Sequence, residues 1–318
     1  MKKQFNFVGR NKLFMGISLG IIIVGILCNI FLGIELDISF KGGTLLKYSF
    51  SGELTEDSVD AFVTEHLGKK VDTQVVHNDL SGLNTLTISM TDEMTLETRT
   101  ALDEALAAQY PDNAVTSISA SSLAPSMGRS FFIKCLVAIA LASVFLVLYV
   151  ALRFRRIGGL SAGVMALLAL LNDLLVAYFA FVIFRIPLND NFVAVLLSIL
   201  GYSLNDTIVI YDRIRENQRL MDSKTPIREV VNVSLNQSFG RTFNTSLCTF
   251  AAIATVAIMA LAFGMDSIVS FAVPMMFGVV SGFYTSTFLC SPAWVLWKEH
   301  KEKKLAAKKA AGKLKKAR

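Results

Sequence analysis

Histidine is scarce in this chain of 318 residues: there are three, His66, His77 and His300, and they are scattered. That leaves no cluster with the ligand spacing of a zinc site. The four cysteines, Cys28, Cys135, Cys248 and Cys290, all fall within or beside apolar runs, and none lies in the one long polar region. A disulfide framework and a CxxC redox pair are thereby excluded. No GxxxxGK[ST] phosphate loop is present, which argues against ATP hydrolysis by this chain. There is no GxSxG or HExxH either, so hydrolase chemistry has no footing. The sequence calls for no catalytic residue, no metal and no cofactor. Whatever work the protein does must draw its energy from elsewhere.

Apolar sequence is abundant. Hydrophobic residues make up 53% of the chain and the mean hydropathy is +0.53, the composition of an integral membrane protein. Six runs reach spanning length: 13–34, 131–152, 159–184, 192–211, 245–263 and 268–297. The first is too long for a signal-peptide core and no small-residue cleavage motif follows it, so it reads as a retained anchor. The net charge of +6 does not point to nucleic acid, because Lys and Arg gather at the ends of membrane segments. Four precede the first span, three follow the second, six lie between the fourth and fifth and ten follow the sixth, together 23 of the 31 basic residues. By the positive-inside rule all of these ends are cytoplasmic, with both termini inside.

One large polar segment interrupts the spans, at 37–128 on the external side. Thr44 to Phe50 reads as a strand, and Thr55-Glu56-Asp57-Ser58 opens a helix to Leu67. Asp72 to His77 and Asn84 to Met90 are β-rich runs separated by the turn signal Asp79-Leu80-Ser81-Gly82. A second helix runs from Thr95 to Gln109, stopped by Pro111, and Ala114 to Ala120 alternates like a last strand. The order βαββαβ is that of the ferredoxin-like fold. This small module has no cluster of titratable residues and is assigned to binding or coupling. The expected division is therefore a cytoplasmic N-terminus with the first span (1–36), an external ferredoxin-like α+β domain (37–128), spans two to six (129–297) and a basic cytoplasmic tail (298–318). The cytoplasmic stretch 212–241 mixes charges with Ile227, Val230, Val231, Val233, Leu235 and Phe239, and is expected on the membrane surface or against a partner. The tail reads as a solvated segment beside anionic lipid.

The chemistry lies inside the membrane runs. Asp206 sits within the fourth, where an ionised carboxylate costs roughly 2.5–3.5 kcal/mol on insertion scales. Such a residue meets a partner, water or a moving ion, so Asp206 is a candidate ion relay rather than a neutral packing acid. Ser203 lies one turn before it and Asn205 beside it. A short echo, Leu171-Asn172-Asp173 against Leu204-Asn205-Asp206, puts a second carboxylate, Asp173, in the neighbouring span. Its structural and functional readings are balanced. Arg241 begins the fifth span and shares a polar face with Thr245, Cys248 and Thr249; it is either the cation for Asp206 or an anchor reaching lipid phosphate. Asp212, Arg213, Arg215 and Glu216 read as a helix end stitched by ion pairs. Gly42-Gly43 needs only a turn or a close backbone approach. Pro274 and Pro292 suggest kinks, and Trp294 and Trp297 interfacial anchors.

Three stretches carry a family resemblance: Leu36 to Thr44 (LDISFKGGT), Gly201 to Asn217, and Asn236 to Thr242 (NQSFGRT). With six spans and an external module after the first, the chain resembles the SecF family, the smaller subunits of the bacterial SecD–SecF export complex, within the resistance–nodulation–division superfamily. The resemblance implies a SecD partner completing a pseudo-symmetric bundle in the cytoplasmic membrane. It also implies assistance to the SecYEG channel and the SecA ATPase, and pulling or release of preprotein with the proton gradient, or with sodium in some relatives. Asp206 would be the proton-binding carboxylate and Arg241 its gating cation. Relatives often have His-Asp where this chain has Asn172-Asp173, and the Leu123 to Gly128 stretch departs from their usual Val-Gly-Pro…Gly. Asp37, Phe40, Gly42, Gly43 and Gly128 would form a structural or hinge motif. The rival readings are a small-molecule or lipid exporter of the same superfamily and a structural scaffold of the channel.

Overall fold

A computed structural model of the chain describes residues 5–76, 84–123, 125–155, 158–222 and 224–316. Six helical stretches are long and apolar enough to cross a membrane, and a small antiparallel sheet stands between the first two. The chain is thus a multi-pass α-helical membrane protein. Helix α1 covers Asn11–Leu32, and a four-residue turn of helix, α2 (Ile38–Lys41), leads into the sheet domain.

That domain runs β1 (Gly43–Phe50), α3 (Glu56–Leu67), β2 (Asp72–Val76), β3 (Asn84–Met90), α4 (Leu96–Gln109) and β4 (Thr116–Leu123). The strands lie in the order β2-β3-β1-β4, all neighbours antiparallel, which is ferredoxin-like connectivity. Alternation decides which face is covered. Leu46, Tyr48, Phe50, Leu86 and Ile88 point to one side and meet Val59 and Val63 of α3 and Leu102 and Leu106 of α4. Thr95 caps α4 by accepting from the Thr98 amide. The last strand begins two residues later than the alternation suggested, because Ala114 takes a left-handed conformation after the turn at Pro111. The expected turn at 79–82 and His77 lie outside the described residues.

The membrane helices are α5 (Pro125–Arg153), α6 (Gly159–Ile183), α7 (Asp190–Leu220), α8 (Ile227–Ala262) and α9 (Asp266–Tyr284), which a π-helical stretch (Thr285–Cys290) joins to α10 (Ser291–Lys316). Burial sorts them. The third, fourth and sixth spans bury 50–56% of their most apolar window inside the chain, the first, second and fifth only 17%. So α6, α7 and α9–α10 form the centre, while α1, α5 and α8 lie outside it.

Three expectations change. The sixth span passes through Pro274 as helix, and its irregularity falls at the π-helical stretch. Trp294 is no interfacial anchor: it is fully buried and its indole N–H donates to Ser161 Oγ at 3.1 Å. The stretch 212–241 is no separate surface element either, since α7 and α8 extend into it and leave only a short turn. Its Val230, Val231 and Leu235 are core residues, and Asn217 Nδ2 bonds to Ser234 and Gln237, at 2.8 Å each.

The junction between bundle and sheet is tight. Asp37 caps α2 through the Ser39 amide (2.9 Å) and hydroxyl (2.7 Å), and its own amide bonds to Leu188 O in the α6–α7 loop. Phe40 is buried against Phe131 and Phe132 of α5. Gly128 passes so close that a Cβ there would lie 2.8 Å from the Gly42 amide. At Gly43, φ is +124° and a Cβ would sit 2.3 Å from Met90 O. Gly43→Ala should therefore cost about 1–3 kcal/mol of stability. Gly20→Ala in α1, where nothing lies within 4 Å, should be neutral or slightly stabilising. Thermal unfolding in detergent compares the two.

Candidate functional site: a buried carboxylate ringed by hydroxyls

Asp173 lies at the middle of the central bundle and is fully buried. Its carboxylate accepts from Ser203 Oγ of α7 at 2.5 Å, from Ser281 Oγ of α9 at 2.5 Å and from Thr285 Oγ1 at 2.9 Å on both oxygens. Each of these bonds crosses from one helix to another. Charge-assisted hydrogen bonds of this length are about twice as strong as neutral ones and offset part of the cost of removing a carboxylate from water. Beside it, Asn172 joins Ser281 Oγ (3.4 Å) and accepts from Ser18 Oγ of α1 (2.5 Å), so the ring ties four spans together. Among the described residues no Lys, Arg or His forms an ion pair with Asp173 or Asp206.

The approach of α9 to α7 depends on missing side chains. A Cβ on Gly282 would lie 3.1 Å from Ser203 Cβ, and one on Gly278 would overlap Ile199 at 2.1 Å. These two glycines let the hydroxyls of α9 reach Asp173.

Asp206 is also buried, at 2% exposure, and turns toward α8. Its carboxylate accepts from Ser246 Oγ at 3.3 Å, and Ser246 in turn accepts from Tyr202 OH at 2.9 Å. Ser203, expected beside Asp206, instead bonds to Asp173. Asn205 faces outward. Arg241 is not brought to Asp206: it is exposed on α8. Helix geometry explains this, since Ser246 is five residues further on and about 140° around the helix at 100° per residue. The polar face of Arg241, Thr245 and Cys248 thus points out of the chain. Toward the ends of α5 and α7, Asp212 pairs with Arg153 (3.2 Å) and Arg215 (2.7 Å), and Arg213 with Glu216 (2.6 Å).

The residue-by-residue reading missed the hydroxyls of the sixth span. Ser281 and Thr285 lie four apart, and Ser203, Thr207 and Tyr211 repeat at the same spacing in α7. That periodicity was the available signal.

Comparison with known proteins settles the family. Residues 103–300 match the model of "Protein export membrane protein SecD/SecF, C-terminal". The chain belongs to the SecD/SecF family of protein-export membrane proteins. It is 30% identical to the protein translocase subunit SecF of Alicyclobacillus acidocaldarius over 96% of both chains, and 32% identical to that of Sebaldella termitidis over 85% of this chain and 84% of the other. It is 28% identical to the protein translocase subunit SecDF of Bacillus subtilis, with 96% of this chain covering 40% of that longer protein. Among solved structures, SecDF of Thermus thermophilus, described as translocon-associated, matches with a TM-score of 0.76 and 26% identity, over 94% of this chain and 39% of that one.

Removing the Asp173 carboxylate tests what the ring holds together. Asp173→Leu leaves the Ser203 and Ser281 hydroxyls without their acceptor, at about 1–3 kcal/mol each, leaves Thr285 only Gly282 O, and should prevent accumulation of folded protein. Asp173→Asn keeps the shape and one acceptor oxygen and should fold with a modest loss. Size-exclusion profiles and melting temperatures in detergent separate the two.

Proposed function

We propose that the chain is the SecF-type subunit of a protein-export complex in the bacterial cytoplasmic membrane, with both termini cytoplasmic and the 37–128 domain external. It pairs with a SecD-type protein, assists the SecYEG channel and SecA, and uses the proton gradient to pull or release preprotein. Support for the partner comes from the family's fused members: relatives named SecDF carry this chain's equivalent as two fifths of a longer protein. The outward polar face of α8, on a span that buries little inside its own chain, is the surface such a partner would cover.

The observation that carries the ion-coupled part is the pair of buried carboxylates with no cation joined to either among the described residues. Each is stabilised by hydroxyls, which can donate to a carboxylate or accept from a carboxylic acid, so both protonation states are accommodated. In this reading Asp206 loads the proton and Arg241 is its gating cation. The separated arrangement of the two corresponds to the protonated half of the cycle. Deprotonation draws Arg241 round toward Asp206, α8 turns, and the change reaches the external domain through the Asp37–Gly43 and Gly128 junction. A potential of 100 mV supplies about 2.3 kcal/mol per charge, enough to bias a few-kcal/mol equilibrium.

The test is preprotein translocation into sealed inverted vesicles containing this chain and its SecD-type partner, with and without an imposed proton gradient. Asp206→Asn and Arg241→Met should each reduce translocation to the rate seen without a gradient while the complex stays assembled. Unchanged stimulation in both would leave the protein a scaffold of the channel.

A further inference from the structure

Below the Asp173 ring, the interface of α7, α6 and the sixth span carries a line of polar groups among its packed apolar side chains. Thr207 Oγ1 and Ser286 Oγ lie 2.9 Å apart, and Ser286 donates to Ser203 O at 3.1 Å, directly beneath the ring. Cys290 Sγ bonds with Thr207 and lies 3.1 Å from Tyr211 OH, which also donates to Ala162 O at 3.2 Å. One turn further, Trp294 Nε1 meets Ser161 Oγ, and Ser161 donates to the carbonyl of the exposed Gly158, just before α6. The groups therefore descend from the bundle centre to the start of α6.

Two further hydroxyls on the same segment have no partner among the described residues: Thr287 Oγ1 and Ser291 Oγ, on residues 1% and 0% exposed. Buried hydroxyls are normally hydrogen-bonded, and an orphaned pair in a polar site calls for water. Thr285, Ser286 and Thr287, three consecutive residues of the π-helical stretch, are all buried.

We propose that Asp173 is a second proton-binding site, exchanging its proton with the cytoplasm through hydroxyls and water held between α7, α6 and α10. The step is a relay. The Asp173 carboxylic acid gives its proton to the file, each hydroxyl or water passes one proton on and receives another, and the proton leaves at the Ser161–Gly158 turn. The return direction reloads the carboxylate. The groups facing Asp173 favour this use. Serines and a threonine face it from α7, α9 and the π-helical stretch. From α1 comes Ser18, through Asn172; Cys290 is electrostatically coupled to Asp173, and α7 also carries Tyr202, Asp206 and Tyr211. No fixed cation pins Asp173 in its ionised form among the described residues. The proposal depends on the proton-coupled reading only for the use made of the proton.

Infrared difference spectroscopy across pH tests it, on the full chain with its SecD-type partner in lipid vesicles, in H₂O and D₂O. A protonated carboxyl band should appear in wild type, disappear in Asp173→Asn and persist in Asp206→Asn. Its shift in D₂O should slow by about tenfold in Thr287→Val and Ser291→Ala, variants that remove orphan hydroxyls without breaking a protein hydrogen bond. No band lost in Asp173→Asn would overturn the site, and unslowed exchange in both hydroxyl variants would overturn the route. Export assayed on the same vesicles separates this from the coupling. Gradient-independent export with the band and exchange pattern intact supports the site and defeats only the proton-driven reading.

Discussion

A carboxylate placed where water is absent must find its donors within the chain, and this bundle is arranged around that requirement. Asp173 obtains three from three different segments, so the helices that supply them are held at fixed depth and rotation relative to α6. Hydrophobic burial cannot do this in a membrane, because a leucine is as well solvated by lipid as by a neighbouring helix. Close approach and directional hydrogen bonds must replace it. Gly278 and Gly282 provide the approach, and the hydroxyls of Ser203, Ser281 and Thr285 the bonds.

The same requirement explains the unequal burial of the six spans. The three spans that supply Asp173 and its own donors are half buried within the chain, and the other three are left largely open. An outer helix bearing an arginine, a threonine and a cysteine on its outward face is poorly suited to lipid and well suited to another protein. Relatives named SecDF carry this chain's equivalent as about two fifths of a longer protein, which agrees with outer helices that further chain would cover.

Much of this was legible in the residues. Strand alternation located β1, β2 and β3 within a residue or so of their ends, because in a small sheet each inward side chain has a core position to fill. The six apolar runs and the buried carboxylates were equally plain, since bilayer thickness and the cost of a charge leave few alternatives. The partners of those carboxylates were not legible. Asp173 and Asp206 sit in near-identical local sequence, yet Asn172 is buried and Asn205 exposed, because α6 lies inside the bundle while α7 divides its faces between α9 and α8. Helical spacing put Ser203 with Asp206, but tertiary packing gave it to Asp173. The π-helical stretch has no sequence signature comparable to proline, so the inward turn of Thr285 to Thr287 emerged only from the structure.

The central claim is that events among the membrane helices move the sheet domain. Beyond the Asp37–Gly43 and Gly128 junction, the sheet touches the bundle through Lys47 of β1, whose Nζ lies 3.4 Å from Asp266 Oδ2 at the start of α9. Cysteines at these two positions, in a chain with its own four replaced, can be joined by a short bifunctional thiol reagent in the assembled complex. The account predicts that this tether abolishes gradient-stimulated translocation while leaving the gradient-independent rate, and that a cleavable tether restores stimulation when cut. A tethered complex that responds to the gradient as fully as the untethered one would contradict it.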